Sequence, residues 1–571
     1  MNMDLVIFQY FAVVVLGMAV VMGLAMIPKG TRKSLIDYFS GFNKLKKLPK
    51  AFWAVIIVVF IDSFAFFALY TQLTIFLSTE MAVSDAVAGY VFTAFSFGIL
   101  FVMLISGMIQ AKLGYRKMLK LGALVGGISR LVVGCAPLIF GFGSQITLIV
   151  GITFFVITGI SEGLIGPFVN AGLQRFTSKS TASVGFNFWY MIMQGGAIAT
   201  AVVVALIINK DGSGNVPIFI GSGVLVLGLY FVAHFMVTDE GKAVDEENGD
   251  IRQLSPEEEK QLQADIAESK EVAAVQTGIP GKEKFLVVRI LTSIGVVLGG
   301  LVKVGWFFVR PILYFLLQLG NILLTILGPV GGKWLKEKAW PNVWGQFKEV
   351  AKYPGFVGMI VFLFIVSGPR MSFSFPFAVY NKYYLNVLGD AQLGGLLQGI
   401  NPYIIFVGLV LATSYLVRKN SWWRMFIGMS ISAGSTFILA LPPQWFVSET
   451  SQLLTAYTVL VVVQIVIYAI GETIWSPVMS KYIMGFAPPG KESEFAGFAT
   501  LPTFFSKTLI GLMSGHLIAA YSAQGVQEKI LAGGMSYSDS PEMMNLILGC
   551  ICITGVVGMA LSYPWFFRKD T

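Results

Sequence analysis

A chain of 571 residues that is 56% hydrophobic and only 12% charged, with a mean hydropathy of +0.75, is too apolar for a soluble fold, where about a quarter of residues carry charge. Its net charge of +9 does not indicate nucleic acid, because the bases sit at the ends of apolar segments, the pattern that orients membrane proteins. Three cysteines (Cys135, Cys550, Cys552) and two histidines (His234, His516) show no metal-ligand spacing, and no nucleophile triad or phosphate loop points to an enzyme or a cofactor.

A membrane-spanning helix needs about 20 apolar residues. In chain order such segments run over 5–27, then 51–78, 87–110, 118–142, 146–171, 183–208 and 216–238, then 354–379, 391–417, 423–442, 452–482, 495–520 and 543–567. The pattern is one helix, then six, then six, with a long region, 239–353, between the sixes. The first segment lacks a basic start and precedes a strongly basic stretch, so region 1–50 is expected to hold an extra N-terminal helix and a basic linker rather than a cleaved signal. Further basic clusters at Lys112–Lys120, Arg175/Lys179, Arg418/Lys419/Arg424, Lys481/Lys491 and Arg568/Lys569 fall on every second loop. That alternation predicts a multi-pass protein of the cell (inner) membrane, with the central loop and C-terminus cytoplasmic and the N-terminus outside.

The central region has two parts. Residues 239–283 are acidic and polar and read as a cytoplasmic linker. Within it Ser255, Pro256 and Glu258 make a helix-start signal, predicting a short helix over about 256–275. Residues 284–353 are apolar again over 284–330 but carry Arg289, Lys303 and Arg310. They fit either an inserted hairpin of two membrane helices, broken near Arg310–Pro311, or an amphipathic segment at the interface. The hairpin returns the chain to the cytoplasm before the next helix, as the loop charges require.

Bundles at 51–238 and 354–571 make an all-α polytopic membrane protein that resembles the major facilitator transporters. The resemblance implies a substrate site near the bilayer midplane, between two halves that rock about it. Residues 107–117, G-M-I-Q-A-K-L-G-Y-R-K, are similar to that superfamily's loop signature, G-x-x-x-D-R/K-x-G-R-R/K. Gly107, Lys112, Gly114, Arg116 and Lys117 fit, and Ala111 stands at the aspartate position.

One carboxylate interrupts an apolar run: Glu472, in I-G-E-T-I-W-S-P. An ionisable residue inside a membrane helix is costly and therefore marks function. The stretch resembles the tenth-helix G-E-x-x-x-S-P of the proton-dependent oligopeptide transporters, in which this glutamate and serine line the peptide site. Ser476 lies four residues on and shares the face of Glu472. Residues 398–402 (Q-G-I-N-P), 163–171 (G-L-I-G-P-F-V-N-A) and 186–196 (F-N-F-W-Y-M-I-M-Q-G-G) resemble that family's eighth-, fourth- and fifth-helix motifs. The likeness covers residues 51–567. It implies a substrate site drawing on Glu472, Trp475 and Ser476, on Gln398 and Asn401, on Trp189 and Tyr190, and on Asn170.

The departures bear on mechanism. The family's first-helix E-x-x-E-R-F-x-Y-Y stands here as Val59 to Phe67, V-F-I-D-S-F-A-F-F: Asp62 keeps a carboxylate, Ser63 replaces the arginine, and Phe66 and Phe67 replace the tyrosines. The fourth-helix lysine that meets the peptide carboxylate is Gly166, with Glu162 one turn earlier. Either the substrate lacks that anionic end or another cation has taken over. The candidates are Arg130, expected to meet Glu162, and Arg370, expected to meet Glu472 or Asp62. Arg370 follows Gly368–Pro369, a pair able to unwind a helix. Glu472, Asp62 and Glu162 are the candidate proton-coupling carboxylates.

The resulting expectation is a secondary active transporter that carries oligopeptides or a peptide-like small molecule together with protons. Its alternatives are an exporter or facilitator of another solute without proton coupling, and a non-transporting receptor or scaffold. The expected partners are a small-molecule substrate, protons and the lipid bilayer. The sequence does not specify an oligomeric state.

Overall fold

Apolar runs in a membrane must satisfy their backbone N–H and C=O groups internally, which selects helices. The structure, a computed structural model, describes residues 42–255 except 179, 239 and 247–249; 354–416; 420–484; 501–563 except 534; and residues 17, 36, 40, 257, 258, 261 and 345. The segments expected at 5–27 and 284–330, and most of the helix expected at 256–275, lie outside the described residues.

The first set of six helices is α1 (Lys50–Thr79), α2 (Asp85–Met103), α3 (Leu113–Phe140), α4 (Gln145–Phe176), α5 (Ala182–Ile207) and α6 (Val216–Met236). A continuous helical stretch, Asp85–Phe140, contains both α2 and α3 and breaks at Gly114, whose φ of 77° is open to glycine and strained for side-chain-bearing residues. The second set is α7 (Gly358–Leu388), α8 (Ala391–Leu416), α9 (Ser421–Ser435), α10 (Leu453–Met484), α11 (Leu501–Tyr521) and α12 (Pro541–Leu561). Among the described residues, nine helices are long and apolar enough to cross a membrane.

The chain divides into two compact units. One comprises residues 1–253, 364–483 and 499–571; the other comprises 254–363 and 484–498. In the second unit Ser255 and Glu258 exchange hydrogen bonds: Ser255 N–H donates to Glu258 Oε2 at 2.8 Å, and Glu258 N–H donates to Ser255 Oγ at 3.3 Å. This is the reciprocal cap that the sequence predicts.

The first unit holds a feature absent from the sequence expectations. The opening of the acidic linker is a fitted strap. It forms a hairpin, β1 (Ala243–Asp245) against β2 (Ile251–Gln253). Its carboxylates bind the basic loops of the first six helices. Glu240 accepts from the backbone N–H of Tyr115 and of Arg116, each at 3.0 Å, at the start of α3. Asp245 accepts from Ser180 N–H at 3.1 Å and from its hydroxyl at 2.6 Å, and Lys47 meets Asp250 at 3.0 Å. Free amides at a helix start attract a carboxylate, so acidic composition here produced docking rather than solvation.

The two sets of six also interlock at the ends bearing the short, near-neutral loops. Lys382 of α7 pairs with Asp85 of α2 at 3.0 Å, and Lys210 pairs with Asp390 at 3.5 Å. The Asn381 side chain donates to the Thr71 carbonyl. Between α2 and α11 the backbones approach through glycine: a Cβ on Gly515 would stand 2.1 Å from the Asp85 carbonyl oxygen.

Gly368–Pro369 does not unwind α7. Pro369 lies within regular helix, and Gly368 lets that helix approach α12, where a Cβ would meet Ile551 O at 3.1 Å and Gly555 N at 3.2 Å. The irregularity comes later. Widened turns occupy Pro376–Tyr380 and Tyr384–Leu388, and the helix ends at the left-handed Gly389. Pro376, which lacks an N–H, opens the first of these turns.

Candidate functional site

Glu472 sits on α10 and is 1% exposed. The Asn401 amide of α8 donates to its Oε2 at 3.2 Å, and the Tyr468 hydroxyl, one turn earlier on α10, faces the same carboxylate. Asn401 is aimed inward by the helix that begins beyond Gly389. Its own carbonyl oxygen is buried without a partner, as is Asp62 Oδ1 on α1. Unpartnered oxygen in a buried polar site is costly.

Ser476, one turn beyond Glu472, reaches the other half of the molecule: its hydroxyl lies 3.4 Å from the Tyr190 hydroxyl of α5. Trp475 serves two neighbours. Its indole N–H donates to Ser432 Oγ of α9 at 3.1 Å, and its ring stands 5.6 Å from the Arg370 guanidinium. That packing requires glycines on both helices, since a Cβ on Gly428 or Gly471 would meet backbone within 2.8 Å.

Arg370 lies on α7 and is half-buried. Its Nη1 donates to Met479 Sδ at 3.2 Å, and its Nε has no partner. The expected direct pairing is not made: among the described residues Arg370 forms no ion pair with Glu472 or Asp62. It lies within electrostatic range of Glu472, held off by its seat between the Trp475 ring and Met479. The other expected pairing is present. Arg130 of α3 donates to Glu162 of α4, and both side chains are buried. Asp62 stands within electrostatic range of that pair.

The remaining candidates are placed more loosely. Gln398 donates to the Pro376 carbonyl at 3.3 Å and so braces the widened turn of α7. Trp189 packs edge-on to Phe186 and Phe188 lies against Trp53, a cluster at the basic end of the first six helices. Asn170 is exposed on α4. Phe66 and Phe67, at the family's tyrosine positions, join a ring cluster with Tyr70, Phe95 and Phe377 that spans α1, α2 and α7.

One residue escaped the sequence analysis. Lys507 on α11 is buried, with its ammonium 4.7 Å from the Tyr70 ring and 5.4 Å from the Phe66 ring, and it lies within electrostatic range of Glu162 and Arg370. The signal was available: a lone lysine in an apolar helix meets the same criterion that singled out Glu472. Lys507 thus lies near charges of both halves, Glu162 on α4 and Arg370 on α7.

The Major Facilitator Superfamily model matches residues 55–512. No curated protein matches the chain in sequence. Solved structures share its fold. The POT family transporter PepTSo is 17% identical with a TM-score of 0.58, over 91% of this chain and 99% of its own. A POT family transporter in complex with 5-aminolevulinic acid is 16% identical with a TM-score of 0.57, over 92% of this chain and all of its own. A D-xylose–proton symporter is 11% identical with a TM-score of 0.57, over 91% and 98%.

Proposed function

The chain belongs to the major facilitator superfamily, and from that premise we propose that it is a secondary active transporter carrying a peptide or a peptide-like small molecule together with protons, by alternating access between its two six-helix halves. The reading places it beside the proton-dependent oligopeptide transporters, whose tenth-helix motif it retains. The cell membrane is the proposed location, with the basic loops, the strap and the C-terminus on the cytoplasmic side.

The observation that carries the proposal is Glu472: a carboxylate buried within a membrane helix, bonded to Asn401 and faced by Arg370 at a distance. A solute that draws Arg370 away leaves Glu472 without its facing cation. A carboxylate stranded in a dry site takes up a proton, so solute and proton enter together. Ser476 and Tyr190 join the two halves beside that carboxylate, where a change in one half is felt by the other. The solute bound in one fold neighbour, 5-aminolevulinic acid, carries both an amine and a carboxylate, the kind of two-ended molecule a chain of opposite charges suits.

The test is uptake into proteoliposomes by the full chain, with a panel of short peptides and zwitterions, with and without an inward proton gradient. Substrate-driven proton influx in the wild type, lost in Glu472→Gln, is the expected result. Uptake by Glu472→Gln that still follows an imposed pH gradient sinks the coupling role. Uptake by the wild type that ignores the gradient favours the uncoupled exporter or facilitator, for which the loss of the first-helix charges at Val59 and Ser63 speaks.

A further inference from the structure

The sequence places Arg116, Lys117 and Lys120 in the opening turns of α3 and His234 in the last turn of α6. Glycines draw these two helices together. A Cβ on Gly127 would stand 2.9 Å from the Gly223 carbonyl oxygen, and one on Gly134 would stand 3.0 Å from the Ile220 backbone nitrogen. The crossing brings two cations onto one residue. Arg116 Nη2 donates to the His234 carbonyl at 2.6 Å, and Lys120 Nζ lies 2.9 Å from His234 Nδ1 and 5.0 Å from the centre of the Tyr230 ring. Lys117 stands exposed three residues before Lys120. Among the described residues no carboxylate pairs with any of these three bases. The carboxylate that reaches this end of α3, that of Glu240, is taken up by the Tyr115 and Arg116 amides. Arg116 Nε is buried without a partner. An arginine carries five donors and a lysine three, so most of the N–H groups gathered here remain to be used.

Beyond the cations each helix runs on as an exposed apolar stripe. On α3 Lys117 shares a face with Leu121, Leu124 and Ile128, and on α6 Val224, Phe231 and Phe235 share another; all six apolar residues are exposed. Such stripes are ordinary on a membrane helix, and the unpaired bases at their head set this seam apart. We propose that the basic end of the α3–α6 seam binds an anionic phospholipid, its phosphate held by Arg116, Lys117 and Lys120 and its acyl chains laid along the two stripes. Phosphate oxygens accept readily from arginine and lysine, and basic pockets between membrane helices suit anionic headgroups. A soluble anion would answer the cations and leave the stripes uncovered. A zwitterionic headgroup would bring a further cation to three that already lack a counter-charge. The inference is independent of what solute the protein carries. It makes lipid a second tie at the start of α3, the helix end that the Glu240 carboxylate of the strap already caps.

The experiment is native mass spectrometry of the purified full-length protein in a neutral detergent, titrated with phosphatidylglycerol or with phosphatidylcholine of the same acyl chains. The wild type is expected to bind phosphatidylglycerol about tenfold more tightly, because each base near the membrane surface adds to the attraction for anionic lipid. The double change Lys117→Gln with Lys120→Gln is expected to erase that preference, and Lys117→Arg with Lys120→Arg to keep it. Lys44→Gln with Lys46→Gln, which removes two exposed bases from the short turn before α1, is expected to leave it unchanged. Equal affinity of the wild type for the two lipids overturns the site, as does a preference that survives Lys117→Gln with Lys120→Gln. A preference that falls as far in the Lys44 and Lys46 variant shows diffuse attraction and overturns it as well. Glycerol 3-phosphate, a headgroup without chains, is expected not to displace the lipid at matching concentration; displacement would replace the lipid with a soluble phosphate and overturn the assignment.

Discussion

Each half of the molecule holds an arginine and a glutamate within its long apolar helices, and the two halves treat them differently. In the first six helices Arg130 and Glu162 meet directly, both side chains withdrawn from solvent. In the second, Arg370 and Glu472 stay apart. The arginine is seated on Trp475 and Met479, and the glutamate is bonded to Asn401. A closed pair has no free valence for a solute or a proton and acts as a tie between α3 and α4. A separated pair keeps its attraction unspent, so that a solute able to bridge or divide it changes the charge state of the site. Composition alone makes the two pairs look equivalent, and geometry distinguishes them: one is closed and the other is open.

The largest expected effect tests the tie. Arg130→Gln strands a buried carboxylate and should cost about 3–5 kcal/mol of stability, read as a large fall in apparent Tm in detergent. The double change Arg130→Met with Glu162→Leu should recover most of it, because an apolar pair of similar volume needs no partner. An Arg130→Gln protein as stable as the wild type would mean that the pair ties nothing.

Arg370→Gln should do the reverse. The Glu472 carboxylate left without its facing cation takes up a proton, so stability should fall by less than in Arg130→Gln, while solute affinity weakens about tenfold. If uptake and affinity are both unchanged, the separated pair has no part in transport. Glu472→Gln keeps the shape that meets Asn401 and should leave Tm near that of the wild type. It should still exchange solute across liposomes when no proton gradient is imposed. Loss of that exchange would point to a structural role for the carboxylate instead.

The most local expected effect lies at the strap. Glu240→Ala removes the cap from the start of α3 and should cost about 1 kcal/mol. Hydrogen exchange at Tyr115 and Arg116 should quicken while exchange in α10 does not. Unchanged protection of those two amides would show that the strap's carboxylate is not their partner.

Much of this was legible in the chain. Long apolar runs set the helices, and basic clusters fall on alternate loops between them, because burial and charge both act on composition. Glu472 and Ser476 were visible as a pair at helical spacing, and Arg130 with Glu162 as two lone charges on neighbouring helices. Lys507 was equally visible by the same reasoning and shows that the criterion must be applied to every helix. The strap was not legible. Its acidic residues showed no partner in sequence until the fold placed the α3 amides of Tyr115 and Arg116 beside Glu240, about 125 residues away in sequence. Gly368–Pro369 misled for a related reason. The pair permits either an unwound turn or a close helix crossing, and the presence of Gly555 on α12 decided for the crossing.

What the sequence by itself determined is therefore the solvent each segment needs and the local spacing of its side chains. Those properties depend on neighbours within a few residues of one another. Which charges touch, and which are held just short of touching, was decided only by the tertiary structure. That Arg130 and Glu162 touch while Arg370 and Glu472 do not arises from how four separate helices and the bulk of one tryptophan pack together, and no local stretch of residues encodes it.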